Sequence, residues 1–144
     1  MIRVYLTIIL LITSGAAVSD DPNFLIGSWV SDKETTISYH HEKVKWSEEQ
    51  YKLFENILGK LRVTFTETTV LWSYENDSSE NKYEVIDRAR DTIIIRTKLD
   101  KEDLEYFDFE SPFTEIKYFR EGNKIYTAPK MSKSLLREYF KRVE

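Results

Sequence analysis

The sequence predicts a mainly β domain: an antiparallel β-barrel of about eight short strands, with one helix near residues 47–58. Three observations lead to this fold class. After Gly59, apolar and polar residues alternate with a period of two, as in half-buried strands. Short polar turns separate these segments, and strands joined by short turns pair antiparallel. Many short strands in a chain of this size favour a barrel or a sandwich, and a closed barrel removes the exposed edges.

Composition indicates one domain without disulfide bonds. The 144 residues carry a formal charge of -4, and 41% of them are apolar and 14% aromatic, which is too apolar for a disordered protein. The sequence has no cysteine, so a disulfide framework, a thiolate zinc site and a cysteine nucleophile are excluded. The acidic balance disfavours a general nucleic-acid-binding domain, which usually carries a basic surplus.

Residues 1–19 have the pattern of a secretory signal peptide. Arg3 supplies the positive start, residues 4–12 are almost all apolar, and the small residues 14–17 follow. Cleavage near the end of this segment leaves residues 20–144 as a single mature domain. The apolar stretch is shorter than the about 20 residues that span a bilayer, so an uncleaved anchor is the less favoured alternative. The protein is therefore expected in the periplasm or outside the cell, with no stable membrane span.

The first mature segments predict two strands. Residues 24–30 favour a strand that contains Gly27 and Trp29. Residues 35–40 form a second, short strand candidate that ends in a polar stretch.

The helix at 47–58 has signals at both of its ends. Ser47 is a favourable N-cap, and Gln50 three residues later completes a capping box. Tyr51, Phe54 and Leu58 form an apolar stripe at helical spacing. Gly59 suits the position after the last helical turn.

Strands are predicted over most of the remaining chain. Segments 61–65 and 70–75 alternate, the polar residues 76–81 are predicted as a hairpin loop, and strands follow at 82–88 and 92–98. One helical turn is predicted at 100–104. A hairpin over 113–120 and 124–127 turns at residues 121–123. Segment 134–143 is ambiguous: its periodicity favours a helix, whereas its aromatic content also suits a strand that closes the sheet.

Both ends of the mature chain resemble lipocalin-like proteins of the calycin superfamily, in small exported bacterial forms. In that superfamily a Gly-x-Trp begins the first strand, and Gly27 and Trp29 match this pattern. The hairpin at 121–126 and the segment 139–143 are similar to the late hairpin and the last barrel strand. The resemblance implies an antiparallel barrel in which Trp29 packs across the closed end, and it makes the helix at 47–58 a candidate lid or plug.

No catalytic constellation is recognisable, and the protein is expected to be a non-enzymatic binding protein without a cofactor. The sequence has no nucleophile elbow, phosphate-binding loop or dinucleotide fingerprint. His40 and His41 are the only histidines, and as neighbours in a strand they point to opposite faces, which disfavours a shared metal. A glycosidase pair among the 25 acidic residues is recognisable only from its separation in space.

Two functions remain open at this stage. In the first, the barrel holds a small apolar or amphipathic ligand against Trp29, Trp72 and Tyr74, since about eight strands leave room for one small ligand. In the second, the protein is a periplasmic inhibitor or immunity protein that neutralises a toxin or a wall-degrading enzyme. Its partner surface is then expected at Tyr106 and Asp108, in an acidic stretch with interleaved aromatics. That stretch also fits an ordinary half-exposed strand.

Overall fold

The computed structural model describes residues 22–98, 113–128 and 136–143, which form a closed antiparallel barrel of eight strands with two short helices. The strands follow one another around the barrel in sequence order, and the last pairs with the first. The elements are β1 (Gly27–Ser31), α1 (Lys33–Lys43), α2 (Glu48–Ile57), β2 (Leu61–Phe65), β3 (Thr69–Tyr74), β4 (Asp77–Arg88), β5 (Thr92–Lys98), β6 (Phe113–Glu121), β7 (Lys124–Thr127) and β8 (Glu138–Arg142). The predicted barrel is therefore confirmed.

The barrel interior is filled from alternate positions of every strand. Along β5, Ile93 and Ile95 are fully buried, whereas Ile94 between them is half-buried on the outer face. The remaining buried apolar residues of this cluster are Phe24, Leu25, Trp29, Val63, Phe65, Val70, Tyr83, Tyr118, Ile125 and Phe140. Removing such side chains from water is the main driving force for closing the sheet.

One end of the barrel is plugged by Phe24, Leu25 and Trp29, and we refer to it as the plugged end. The Trp29 indole N–H donates to the carbonyl oxygen of Leu25 at 2.8 Å, and the guanidinium of Arg142 lies over the Trp29 ring at 4.4 Å. Gly27 has a φ of +124°, and a Cβ atom there would run into the Arg142 guanidinium. This positive φ favours glycine, which explains the glycine two residues before Trp29.

The helix predicted at 47–58 is confirmed as α2, with both bonds of its capping box. The Ser47 hydroxyl accepts from the backbone N–H of Gln50 at 3.2 Å, and the Gln50 side chain accepts from the backbone N–H of Ser47 at 2.9 Å. Ser47 and Leu58 are the two caps, so the helix itself spans Glu48–Ile57.

The strand predicted at 35–40 is wrong, because these residues belong to α1. Asp32 caps this helix by accepting from the backbone N–H and the hydroxyl of Thr35, at 3.1 and 2.8 Å. The run Thr35-Thr36-Ile37 suggested a strand because β-branched side chains favour one. The Asp32 cap and the packing of α1 against β8 outweigh that preference.

Helix α1 continues the hydrogen bonding of β1 along the edge of β8. Strand β1 ends at Ser31, and beyond it the backbone of β8 bonds to α1 and its cap. The Tyr139 N–H donates to the Thr36 hydroxyl at 2.9 Å, and the Tyr139 carbonyl accepts from the Asp32 N–H at 2.7 Å. The Arg137 N–H donates to Nε2 of His40 at 3.2 Å. The backbone groups of Arg137 and Tyr139, which lie beyond the end of β1, thus have hydrogen-bond partners in α1 and its cap.

Two further boundaries differ from the prediction. The hairpin loop expected at 76–81 is a tight turn at Glu75 and Asn76, and β4 begins at Asp77. Glu75 takes the left-handed conformation that such a turn requires, with a φ of 53°. The last segment is a strand at Glu138–Arg142, so the helix favoured by its periodicity is wrong there. Residues 1–19, 100–104 and 134–135, on which predictions were also made, lie outside the described residues.

Candidate functional site

An apolar cavity of about 630 Å³ lies where α1 and α2 meet the barrel, at the end of the barrel that we call the mouth. The walls come from three places: α1, the segment 46–58 and strands β5 to β8. Its described lining residues are Thr36, His40, Trp46, Phe54, Ile57, Leu58, Ile94, Glu115, Ile116, Lys117, Phe119, Thr127, Ala128, Leu136, Arg137 and Glu138. Most of this surface is carbon, with a few polar groups, as in small-molecule sites.

The described part of the cavity lies where β7 ends. Strand β7 pairs with β6 only from Tyr118 to Glu121, so residues 113–117 of β6 have no β7 partner within the described chain. Ile116 faces the interior with Tyr118, whereas Lys117 faces outward, and both line the cavity. The described lining therefore includes residues from both the inner and the outer face of β6.

A stack of three aromatic rings, those of His40, Trp46 and Phe54, lines one side of the cavity, and we call it the roof. The Trp46 ring lies 4.1 Å from the His40 ring on one face and 4.3 Å from the Phe54 ring on the other, nearly parallel to both. None of the residues of α2 is buried, and Leu53 and Ile57 are 58% and 45% exposed. The ring contacts of α2 are with Trp46 and with His41 of α1, and each such contact is worth about 0.5–1.5 kcal/mol.

Burial keeps His40 neutral, and its two hydrogen bonds fix which ring nitrogen carries the proton. Nε2 accepts from the Arg137 N–H, so the proton belongs on Nδ1, which donates to the Thr36 carbonyl at 2.6 Å. Burial lowers the pKa of His40, and the bond to Thr36 offsets part of that shift. His41, by contrast, is exposed and stacks on Tyr51 at 4.4 Å. The two histidines therefore sit in different surroundings, and both ring nitrogens of His40 are already engaged.

The interior wall of the cavity carries one carboxyl group, that of Glu138. It accepts from the Ser31 hydroxyl at 3.0 Å, and the same Ser31 oxygen accepts from the Gly59 N–H at 3.0 Å. Burial raises the pKa of Glu138, and the Ser31 bond only partly reverses that shift. Burial raises the pKa of Tyr118, the nearby Glu138 raises it further, and a hydrogen bond with Trp72 lowers it.

Acid is expected to destabilise the protein through His40. The unfolded chain takes up a proton near the ordinary pKa of 6.5, whereas the folded chain does so only at a lower pH. Between these values the unfolded chain holds more protons, so the stability contributed by neutral His40 is complete above pH 6.5 and is lost below it. Urea unfolding of the wild type and of His40→Gln at pH 7.5 and 5.5 measures this effect.

The wild type should lose more stability than His40→Gln between these two pH values. Glu138 titrates in both proteins with the opposite sign, because its raised pKa favours the folded state at lower pH. Its contribution cancels in the difference between the two proteins. An equal loss in both would show that His40 is not held neutral.

The residues predicted to bind a ligand are spread over the barrel. Trp29 is 3% exposed at the plugged end, and Trp72 packs on the core from the inner face of β3. Tyr74 is half-buried at the end of β3. None of the three is among the described residues that line the apolar cavity. Tyr106 and Asp108, the predicted partner surface, lie outside the described residues, and a binding role for all five stays a prediction.

Sequence reasoning missed the residues that form the cavity roof and its carboxyl group. Trp46 and Phe54 belong to the amphipathic segment whose apolar stripe was visible, and that stripe was the available signal. His40 was assigned to a strand, which hid its contact with Trp46. No sequence feature marked Glu138 as a site residue, because its neighbours in the chain do not distinguish it from the other acidic residues among the 25.

A second cavity, of about 660 Å³, lies at the plugged end beside Trp29, and it is polar. Lys124 and Arg142, two of the cations in its lining, are engaged in contacts within the chain. Lys124 forms an ion pair with Asp32 at 2.8 Å, and Arg142 donates to the carbonyl oxygens of Ile26 and Phe24 at 2.9 and 3.2 Å. These contacts fasten α1 and the N-terminal segment to the barrel, so we assign this region a structural role.

No family model, curated protein or solved structure matches this chain significantly. Neither described helix combines the length and the apolar character that are needed to traverse a bilayer. The chemistry of the apolar cavity therefore carries the functional argument.

Proposed function

We propose that this protein is an exported, non-enzymatic, lipocalin-like binding protein that holds a small amphipathic ligand at the barrel mouth. The observation that carries the proposal is the apolar cavity of about 630 Å³. Ligand sites are typically concave spaces of about 300–1,000 Å³ with apolar walls and a few placed polar groups. The cavity at the mouth meets each of these conditions.

The attachment of α2 supports entry of a ligand from solvent. The roof rests on stacked rings, and α2 buries none of its own residues. Separating the helix from the barrel breaks few contacts, so we infer that α2 moves aside to admit the ligand. Exposed Leu53 and Ile57 lie on this helix, beside the route into the cavity.

The polar groups of the cavity support binding rather than catalysis. Both nitrogens of His40 are used by backbone groups, so this histidine is not poised to transfer a proton. The Ser31 oxygen donates to Glu138 and accepts from the Gly59 N–H, which holds it as a structural bridge.

Purification from the native host tests location and ligand together. We expect the protein in the exported fraction, with an intact mass that places its first residue between Ala17 and Asp20. An organic extract of the purified protein should contain one small amphipathic compound in amounts comparable to the protein. A chain that keeps Met1 would contradict export. An empty extract, together with a protein partner that dissociates at high salt, would contradict small-ligand binding and favour the inhibitor alternative.

A further inference from the structure

Glu138 places a carboxyl group inside an otherwise apolar part of the barrel. Strand β8 alternates, so Glu138 shares the inner face with Phe140, which is buried in the core. Its register partner on β7 is Thr127, which also lines the cavity. The carboxyl group is therefore presented to the cavity from the inner wall.

Among the described residues, few groups donate hydrogen bonds to this carboxylate or neutralise its charge. A carboxylate offers about four acceptor positions, and the Ser31 hydroxyl occupies one of them. No lysine or arginine of the described residues forms an ion pair with Glu138 within 4.0 Å. A buried charge without an ion-pair partner is unfavourable, and burial accordingly raises the pKa of Glu138.

The other charged residues of the cavity wall have contacts on the outer face of the barrel. Glu115 forms an ion pair with Arg96 at 2.8 Å, and the ammonium group of Lys117 lies 5.1 Å from the centre of the Phe119 ring on the outer face. Arg137 is held between two tyrosine rings outside the barrel, those of Tyr39 and Tyr126. Glu138 therefore provides the charge on the inner wall.

The rest of the wall suits the apolar body of a ligand. Ile116 lies on the inner face of β6 and is partly buried. Leu58, Phe54 and Leu136 contribute further apolar surface around the same space. A molecule that fills this volume removes apolar area from water, which is worth about 25 cal/mol per Å².

We propose that Glu138 receives the ammonium group of a small amphipathic amine whose apolar part fills the cavity. The proposal rests on the proposed function and adds the charge class of the ligand. An ammonium group supplies the donors that the carboxylate lacks and neutralises its charge inside the barrel. The same position disfavours a fatty acid, because a second carboxylate there would repel the first.

Displacement of a neutral fluorescent probe measures the preference. N-phenyl-1-naphthylamine is bound to the full chain at pH 7 and displaced by octylamine, 1-octanol or octanoate, which differ only in the charge of the head group. Octylamine should displace the probe at about one tenth of the octanol concentration or less, because a hydrogen bond to a charged group is worth at least tenfold in affinity. Octanoate should be the weakest of the three.

Two substitutions of Glu138 and one control variant test the contribution of the carboxyl group to amine binding. Glu138→Gln keeps the shape and the Ser31 bond, and it should bind the probe while octylamine loses its advantage over octanol. Glu80→Gln, at an exposed carboxylate on β4 outside the described cavity lining, should keep that advantage. Glu138→Leu is the second variant at this position, since replacing a buried charge with an apolar residue is often neutral or stabilising. It should also remove the advantage.

The outcomes separate this inference from the proposed function. Probe binding with octylamine no better than octanol, or an advantage that persists in Glu138→Gln and Glu138→Leu, would overturn the role of Glu138 alone. Absence of saturable binding for the probe and for all three octyl compounds would overturn the cavity as a ligand site, and the amine proposal with it.

Discussion

Replacing Trp29 with alanine is expected to destabilise the folded barrel by about 3–5 kcal/mol, the usual range for a large core aromatic. The ring is 3% exposed, its N–H is bonded to the Leu25 carbonyl, and the Arg142 guanidinium lies against its face. The substitution therefore removes packing at the plugged end and leaves a buried carbonyl without its donor. Urea unfolding followed by circular dichroism measures the change in the free energy of unfolding.

Trp46→Ala is the matched control, since it makes the same substitution outside the core. Trp46 is only partly buried, and its contacts are the rings of the roof, so a smaller loss of stability is expected. If Trp29→Ala unfolded at the same urea concentration as the wild type, Trp29 would not be a core residue and the plugged end would be wrongly described.

The second large effect is expected from Ile116→Trp, which should weaken binding of the neutral naphthylamine probe at least tenfold. Ile116 lines the cavity from the inner face of β6, so an indole ring at this position takes the space of the ligand. Its effect on stability should be small, within about 1 kcal/mol, because the ring enters an empty volume. In a solid core the same overpacking would destabilise the protein by about 1–3 kcal/mol.

Ile86→Trp controls for the substitution itself. Ile86 is exposed on β4, away from the cavity, so this variant should keep both its stability and its affinity for the probe. Equal probe affinity in Ile116→Trp and Ile86→Trp would place the binding site somewhere other than the barrel mouth.

The elements that were predicted correctly are stabilised by residues close together in the sequence. Ser47 and Gln50 form the capping box that their spacing indicates, because both partners lie within one helical turn. The alternation of Leu61, Val63 and Phe65 likewise follows from one buried face of β2. In these segments, residues close together in the sequence determine the secondary structure.

The segment predicted wrongly, α1, and the segment with an ambiguous prediction, β8, are both stabilised by residues far away in sequence. Helix α1 depends on Thr36 and His40 reaching β8, about 100 positions along the chain, and no local pattern contains that information. In β8, Tyr139 packs under α1 while Phe140 points into the barrel, so both faces of the strand are buried. Burial on both faces removes the alternation that identifies a strand.

The candidate site was harder to predict than the barrel. Trp46 stacks between His40 and Phe54, which come from different elements and meet only in the folded chain. The described part of the cavity lies beside the end of β7 at Thr127, which is a property of strand length and register rather than of residue type. Glu138 becomes distinctive only through its position inside the barrel.

A crystal structure of the protein grown with octylamine is the most direct test of the central claim, that the barrel mouth is hollow and binds an amphipathic amine. The account predicts electron density for one octylamine under the His40–Trp46–Phe54 rings, with its nitrogen within hydrogen-bond distance of the Glu138 carboxylate. Side chains that fill this space and leave no room for a ligand would contradict it.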